Sequence, residues 1–133
     1  MWALSFVLLL GIDDLPTVSV DELVRIHRTN EALADERFRN KPIVVTGKLE
    51  SVKRGGLMLY GDKSKQVYHL WMKAADGTSV GFRFTEDERS ALAKLMIGQA
   101  VHVRGTVEGE FVQNILHLFD ARLIPQKTTV EKK

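Results

Sequence analysis

The segment Ala100-Val-His-Val-Arg-Gly-Thr-Val-Glu-Gly-Glu110 has the cleanest alternation in the chain. Val101, Val103, Gly105 and Val107 fall on one side, and His102, Arg104, Thr106 and Glu108 on the other. Successive strand side chains point to opposite faces, so the pattern predicts a strand with one face in the core. Downstream, Gly109 and Glu110 turn the chain, and Phe111 to Ile124 reads as the last strand before Pro125. Upstream, Val80, Phe82 and Phe84 alternate with Ser79, Gly81 and Arg83, which predicts another half-buried strand. It pairs with Gln66 to Lys73 as a hairpin across Ala75-Asp-Gly77, because Asp-Gly is a strong turn signal. Between these strands, Thr85-Glu-Asp-Glu88 has the form of a capping box. The helix it opens is expected to bury Ala91, Leu92, Leu95 and Met96 and to stop at Gly98.

Farther upstream, Ile43-Val-Val-Thr-Gly-Lys-Leu-Glu-Ser-Val52 is the first strand. Ile43, Val45 and Leu49 point one way with Gly47 in their row, and a glycine inside a strand suits a bulge or a sharp bend. Lys53-Arg-Gly-Gly56 reads as a turn, and Leu57 to Tyr60 as a short extra strand before Gly61-Asp-Lys-Ser-Lys65. Five strands with one helix inserted before the last two is the order of the OB-fold, a small Greek-key barrel. A further helix precedes it. Ser19-Val-Asp-Glu22 is a capping box, and Leu23, Ile26, His27, Asn30, Leu33, Ala34 and Phe38 recur at helical spacing to about Arg37. Asn40-Lys-Pro42 ends it. The expectation is a mainly β protein with flanking helices: a five-stranded OB-fold Greek-key barrel with an extra N-terminal helix over residues 17–125. An apolar segment and linker occupy 1–16, and a polar tail 126–133.

The chain has 133 residues, enough for one domain with a real core. Its 44% hydrophobic and 27% charged content is ordinary for a globular protein. A net charge of +2 gives little global signal for a polyanionic partner. The absence of cysteine excludes disulfides, zinc–thiolate sites, thiol catalysis and an acylated-cysteine anchor. Trp2 to Ile12 is apolar except for Ser5 and Gly11, and too short to span a bilayer as a helix. It fits the apolar region of a secretory signal, although no Lys or Arg precedes it and no small-x-small cleavage site follows. An export signal and a buried or docking N-terminal segment both stay open, with export or membrane association slightly favoured.

Little in the sequence points to catalysis. His27, His69, His102 and His117 are scattered without metal-ligand spacing. Glu86-Asp87-Glu88 sits where a helix dipole favours negative charge. There is no nucleophile elbow, and Gly55-Gly56 lacks the Gly-Lys-Ser/Thr context of a phosphate loop. No catalytic residue, metal or cofactor is expected. The suggestive stretch is Lys48 to Lys73: Lys48, Lys53, Arg54, Lys63, Lys65 and Lys73 against Glu50 and Asp62, interleaved with Tyr60, Tyr68 and Trp71. Basic groups track phosphates and aromatic faces stack on bases. If Leu70 and Met72 face inward, His69 and Trp71 face outward near Arg83. The candidate ligand residues are therefore Lys53, Arg54, His69, Trp71, Lys73 and Arg83. The competing reading is a solvated basic loop with Trp71 packed under the N-terminal helix. Asn30, Gly47 and Gly105 are expected to be structural, Asn30 as a buried amide bonding backbone where helix meets barrel.

The chain resembles the bacterial "tRNA anti-like" OB-fold proteins over roughly Val20 to Ile124. The resemblance rests on Asn30-Glu31 and Ala34, Lys41 with Val44-Val45-Thr46-Gly47, Val80-Gly-Phe-Arg-Phe84, Leu95, Gly98-Gln99, Val101-His-Val-Arg-Gly105 and Leu118-Phe-Asp-Ala-Arg122. The family's members are small and mostly uncharacterised, and many are exported or membrane-attached; with no catalytic constellation in the chain, the expectation is a non-catalytic binding module. Members often carry a cysteine in the third barrel strand and another in the last. Phe82 and Ala121 stand at those positions here, a large residue facing a small one. Two classes of partner stay open: single-stranded nucleic acid or another anionic polymer, and a protein partner for an envelope scaffold.

Overall fold

The computed structural model describes residues 15–112 and 114–125. The apolar run Trp2 to Ile12 and the tail 126–133 lie outside the described residues. In chain order the elements are β1 (Thr17–Ser19), α1 (Val20–Thr29), α2 (Glu31–Arg37), β2 (Pro42–Lys48), β3 (Ser51–Tyr60), β4 (Lys63–Lys73), β5 (Ser79–Thr85), a 3-10 turn (Glu86–Glu88), α3 (Arg89–Ala93), β6 (Ala100–Val112) and β7 (Ile115–Leu123). The seven strands form one sheet in the order β1-β2-β6-β7-β5-β4-β3.

The expected first strand is two strands. Its first half, β2, pairs antiparallel with β6, and its second half, β3, pairs antiparallel with β4. The change of partner falls at Leu49-Glu50, where Leu49 N–H donates to Gln99 O at 2.9 Å and Glu50 N–H to Trp71 O at 2.8 Å. Because β2 leads straight into β3, the sheet curls around a single core, while its hydrogen-bonded edges remain β1 and β3. The count differs from five for this reason and because the short β1 adds to β2 in parallel. Two turns move as well. Lys53-Arg-Gly-Gly56 lies inside β3 as a bulge between Arg54 and Leu57, with Gly56 at φ +93°, and β6 runs on to Val112 before the chain reverses near Asn114.

The alternation places residues where it predicts. Val101, Val103 and Val107 are buried, as are Ile43 and Val45 from β2, Leu49 just after it, and Val80, Phe82 and Phe84 from β5. A Cβ on Gly47 would stand 2.7 Å from Met72 Sδ and 3.0 Å from Val20 Cγ1, and one on Gly105 3.1 Å from Leu118 Cβ. Both glycines thus leave room for neighbouring core side chains. Phe82 and Ala121 are both buried, and Phe82 also approaches Gly105, at 3.6 Å from its would-be Cβ.

The N-terminal helix divides. Ser19 caps α1 as its capping box predicts, its Oγ accepting from Glu22 N–H at 3.1 Å. At Asn30 the backbone leaves the helical region (φ −153°, ψ 86°), and the side-chain oxygen accepts from Leu33 N–H at 3.0 Å to start α2. Asn30 is therefore an exposed cap, not a buried amide. Leu33, expected in the core, is 37% exposed. His27 and Phe38 stack, with ring centroids 5.7 Å apart, and hold the two helices together. Arg28 fixes α1 to the β4–β5 hairpin, donating to Asp76 Oδ2 at 3.1 Å and to buried Thr78 Oγ1 at 2.7 Å, and it also donates to Asn114 Oδ1.

The second capping box does not form. Thr85 makes no side-chain cap bond, and the segment opens as a 3-10 turn. The carboxylates serve neighbouring strands instead: Glu86 accepts from Gln66 N–H at 3.2 Å and Glu88 from Leu123 N–H at 3.4 Å. α3 is short and buries only Leu92, with Met96 71% exposed.

A candidate nucleic-acid interface on the outer sheet face

Pairing register decides which side chains share a face. Leu70 and Met72 of β4 are fully buried, so His69, Trp71 and Lys73 point outward by alternation. Across from them on β5 stand Arg83, Gly81 and Ser79, and β7 then adds His117 opposite Gly81. On the other flank, β3 sets Ser51 opposite Trp71 and Lys53 opposite His69. The outer face of β3, β4, β5 and β7 thus carries one continuous group of imidazole, indole and basic side chains.

Trp71 does not pack under α1. Its ring lies across β5, over Gly81, where an added Cβ would stand 2.7 Å from Cζ3 and 2.9 Å from Cη2. Only a glycine at that position lets the indole rest on the sheet and reach β7. There Trp71 meets His117 nearly edge-on, with centroids 6.0 Å apart at 69°, and its neighbour His69 lies 5.8 Å away at 33°. His69 and His117 are themselves 6.2 Å apart at 72°. The three rings form a half-buried aromatic platform.

The charges around it are unequal in availability. Arg83 is half-buried with its guanidinium 5.9 Å from the centre of the Phe119 ring. Lys53 is exposed on the platform's face. Lys73 pairs with Glu50 at 3.3 Å. Arg54 stands opposite Tyr68, on the other side of the sheet, so the structure separates it from Lys53 and from the platform. Tyr68 packs against the core, on the face opposite the platform. Beyond Arg83 and Phe119 a cleft of about 360 Å³ opens, lined also by Lys65, Thr85, Asp87, Glu88 and Arg122.

His69 sits below its ordinary pKa because burial disfavours the charged ring and because His117 and Arg83 repel it. Among the described residues no group of three His, Cys, Asp or Glu could hold a metal ion.

The structure thus brings together His69, Trp71, Arg83 and Lys53, leaves Lys73 in an ion pair at the margin, and moves Arg54 away. Sequence reasoning missed His117, Phe119 and Gly81. Alternation of His117 and Phe119 with buried Leu116 and Leu118 could have set them outward. Their meeting with Trp71 depends on the parallel β5–β7 pairing, which no local pattern encodes.

The strand connectivity is that of the OB-fold, whose second and third strands correspond to β4 and β5. No protein-family model matches the chain, and no curated protein matches it. Among solved structures it is similar to a proposed nucleic acid-binding lipoprotein from Klebsiella pneumoniae, with a TM-score of 0.67 and 17% identity over 86% of this chain and 95% of that one. It also resembles part of RecG bound to a three-way DNA junction, with a TM-score of 0.50 and 15% identity over 84% of this chain and 13% of that one. An OB domain from Thermoplasma acidophilum overlaps at a TM-score of 0.42 and 12% identity, over 69% and 81% of the respective chains. At these identities the likeness is one of fold.

Proposed function

We propose that this chain is a non-catalytic OB-fold module that binds single-stranded nucleic acid on the outer face of β4, β5 and β7. The observation that carries the reading is the Trp71–His117–His69 cluster: Trp71 and His69 stand on β4, in the strand pair that OB-folds use for ligands, His117 meets both edge-on from β7, and Arg83 and Lys53 flank them. Bases have π faces that stack on exposed aromatic rings, and phosphates follow nearby cations. The similarity to the Klebsiella protein, itself a proposed nucleic acid-binding lipoprotein, supports the same reading.

The test is fluorescence anisotropy of labelled oligo-dT and oligo-U at low and physiological salt. Binding should weaken with salt, because released counterions oppose phosphate contacts. Trp71→Ala should weaken it by about 1–3 kcal/mol, the usual range for a stacked base. Lys53→Ala/Arg83→Ala should weaken it and flatten its salt dependence, whereas Arg54→Ala should change little. Absence of binding at low salt overturns the reading. A protein partner would then be the better account, and the specific feature favouring it is the edge strand β3, which exposes Leu57 and Leu59 at 68% and 72%.

A further inference from the structure

Three groups able to carry positive charge converge on the platform. His69 stands opposite Arg83 across the β4–β5 ladder and faces His117 edge-on at 6.2 Å. Beside His69, Lys53 comes from β3, Arg83 from β5 and His117 from β7, with Lys65 and Lys73 farther along β4 itself; the carboxylates Asp87, Glu88 and Asp120 line the cleft beyond Arg83. The nearest carboxylate of β3's leading end, Glu50, is held by Lys73. His117 lies opposite Gly81 on β5, and on its other side opposite the irregular stretch of β6 between Val107 and Phe111, which contains Glu108 and Glu110. A second proton in such a cluster is unfavourable while the face is empty, since like charges at short range disfavour ionisation. The depressed pKa of His69, caused by burial and then by His117 and Arg83, agrees with this.

We propose that His69, His117 and Arg83 form a phosphate-binding position that is completed by proton uptake. The proposal rests on the nucleic-acid reading above and adds a regulation to it. A phosphodiester oxygen enters against the Arg83 guanidinium, and its negative charge offsets the burial and the Arg83 and His117 repulsion that disfavour a charged His69 ring. His69 then takes a proton from solvent and donates an N–H bond to the phosphate, His117 offers its own ring N–H beside it, and the adjoining nucleobase stacks on Trp71. Neither a phosphodiester nor thymine titrates near neutral pH, so the protons must go to the protein. By linkage, affinity rises as pH falls from the bound-state pKa of His69 to its lowered free-state pKa, by up to about tenfold per pH unit for the proton taken up.

The test uses labelled oligo-dT and the full chain at constant ionic strength between pH 8.0 and 5.5. Wild type should bind at least about fivefold more tightly at the acid end, in keeping with this linkage. His69→Gln/His117→Gln should lose the pH slope and, with it, the tighter binding at the acid end. Imidazole resonances of the wild-type protein, followed by NMR with and without saturating oligo-dT, should show the His69 pKa rising on binding; this readout does not depend on the variant folding. Binding that is flat with pH, a slope that survives the double variant, or an unchanged His69 pKa would each overturn the proton-linked site and leave the nucleic-acid reading standing. No binding at any pH would overturn both.

Discussion

Gly81 offers the sharpest perturbation of the site, because it touches no ligand and decides where Trp71 lies. A Cβ at Gly81 would stand 2.7, 2.9 and 3.1 Å from three carbons of the indole ring. Ordinary carbon–carbon contact begins near 3.5 Å, so Gly81→Ala must lift the ring by roughly 0.8 Å or swing it off β5. Trp71 is half-buried and has solvent on its outer side, so it can move. The stability cost should therefore sit at the low end of overpacking, about 1 kcal/mol. Binding should suffer more than stability. A tilted indole no longer lies along β5 to offer its outer face to a base, and most of the roughly 1–3 kcal/mol of a stacked base is lost, which is tenfold in affinity for every 1.4 kcal/mol. The assay pairs a thermal melt with an oligo-dT titration and the indole N–H shift of Trp71. A Gly81→Ala protein with wild-type affinity and an unmoved Trp71 resonance would refute the packing of Trp71 on β5 and the platform built on it.

The two candidate helix caps should behave differently: Ser19→Ala loses the bond to Glu22 N–H and about 1 kcal/mol of stability, while Thr85→Ala, which loses no cap bond, should melt like wild type. Gly47→Val drives methyl groups into Met72 and Val20 and should cost about 1–3 kcal/mol by denaturant unfolding. Asp76 is held below its usual pKa by the Thr78 amide, then by the Thr78 hydroxyl and by Arg28. Its folded pKa lies under its unfolded one, so its contribution is full above about pH 4 and fades as pH falls through the folded value. The melting-temperature gap between wild type and Asp76→Asn should accordingly close on acidification.

Strand identity was legible wherever one face is buried and the other is not. Val101, Val103 and Val107 against His102, Arg104 and Thr106 is such a case, and so is the outward setting of Trp71 between Leu70 and Met72. Ser19 was legible because a capping box is satisfied within one turn. Thr85-Glu-Asp-Glu88 has the same letters, but Glu86 and Glu88 find amides on β4 and β7, and a tertiary bond displaced a local one. The apolar spacing of the first helix reads through Asn30 without interruption, since its period is kept, while the Asn30 side chain caps a second helix. The candidate site was half legible. Composition between Lys48 and Lys73 singled out Trp71, His69 and Lys53, but treated one stretch as one surface. Strand pairing sends Arg54 and Tyr68 to the opposite face and brings in His117 from nearly fifty residues away, through a parallel pairing that only the assembled sheet defines.

The measurement that bears most directly on the central claim is an NMR titration of the isotope-labelled protein with oligo-dT at low salt. Shift changes should concentrate on the Trp71 indole, the His69 and His117 rings and the amides of β4, β5 and β7 around Gly81 and Arg83. They should spare the cleft between α3 and β6 lined by Leu95, Gln99 and His102. Changes centred on that cleft or on exposed Leu57 and Leu59, or no changes at all, would contradict the account.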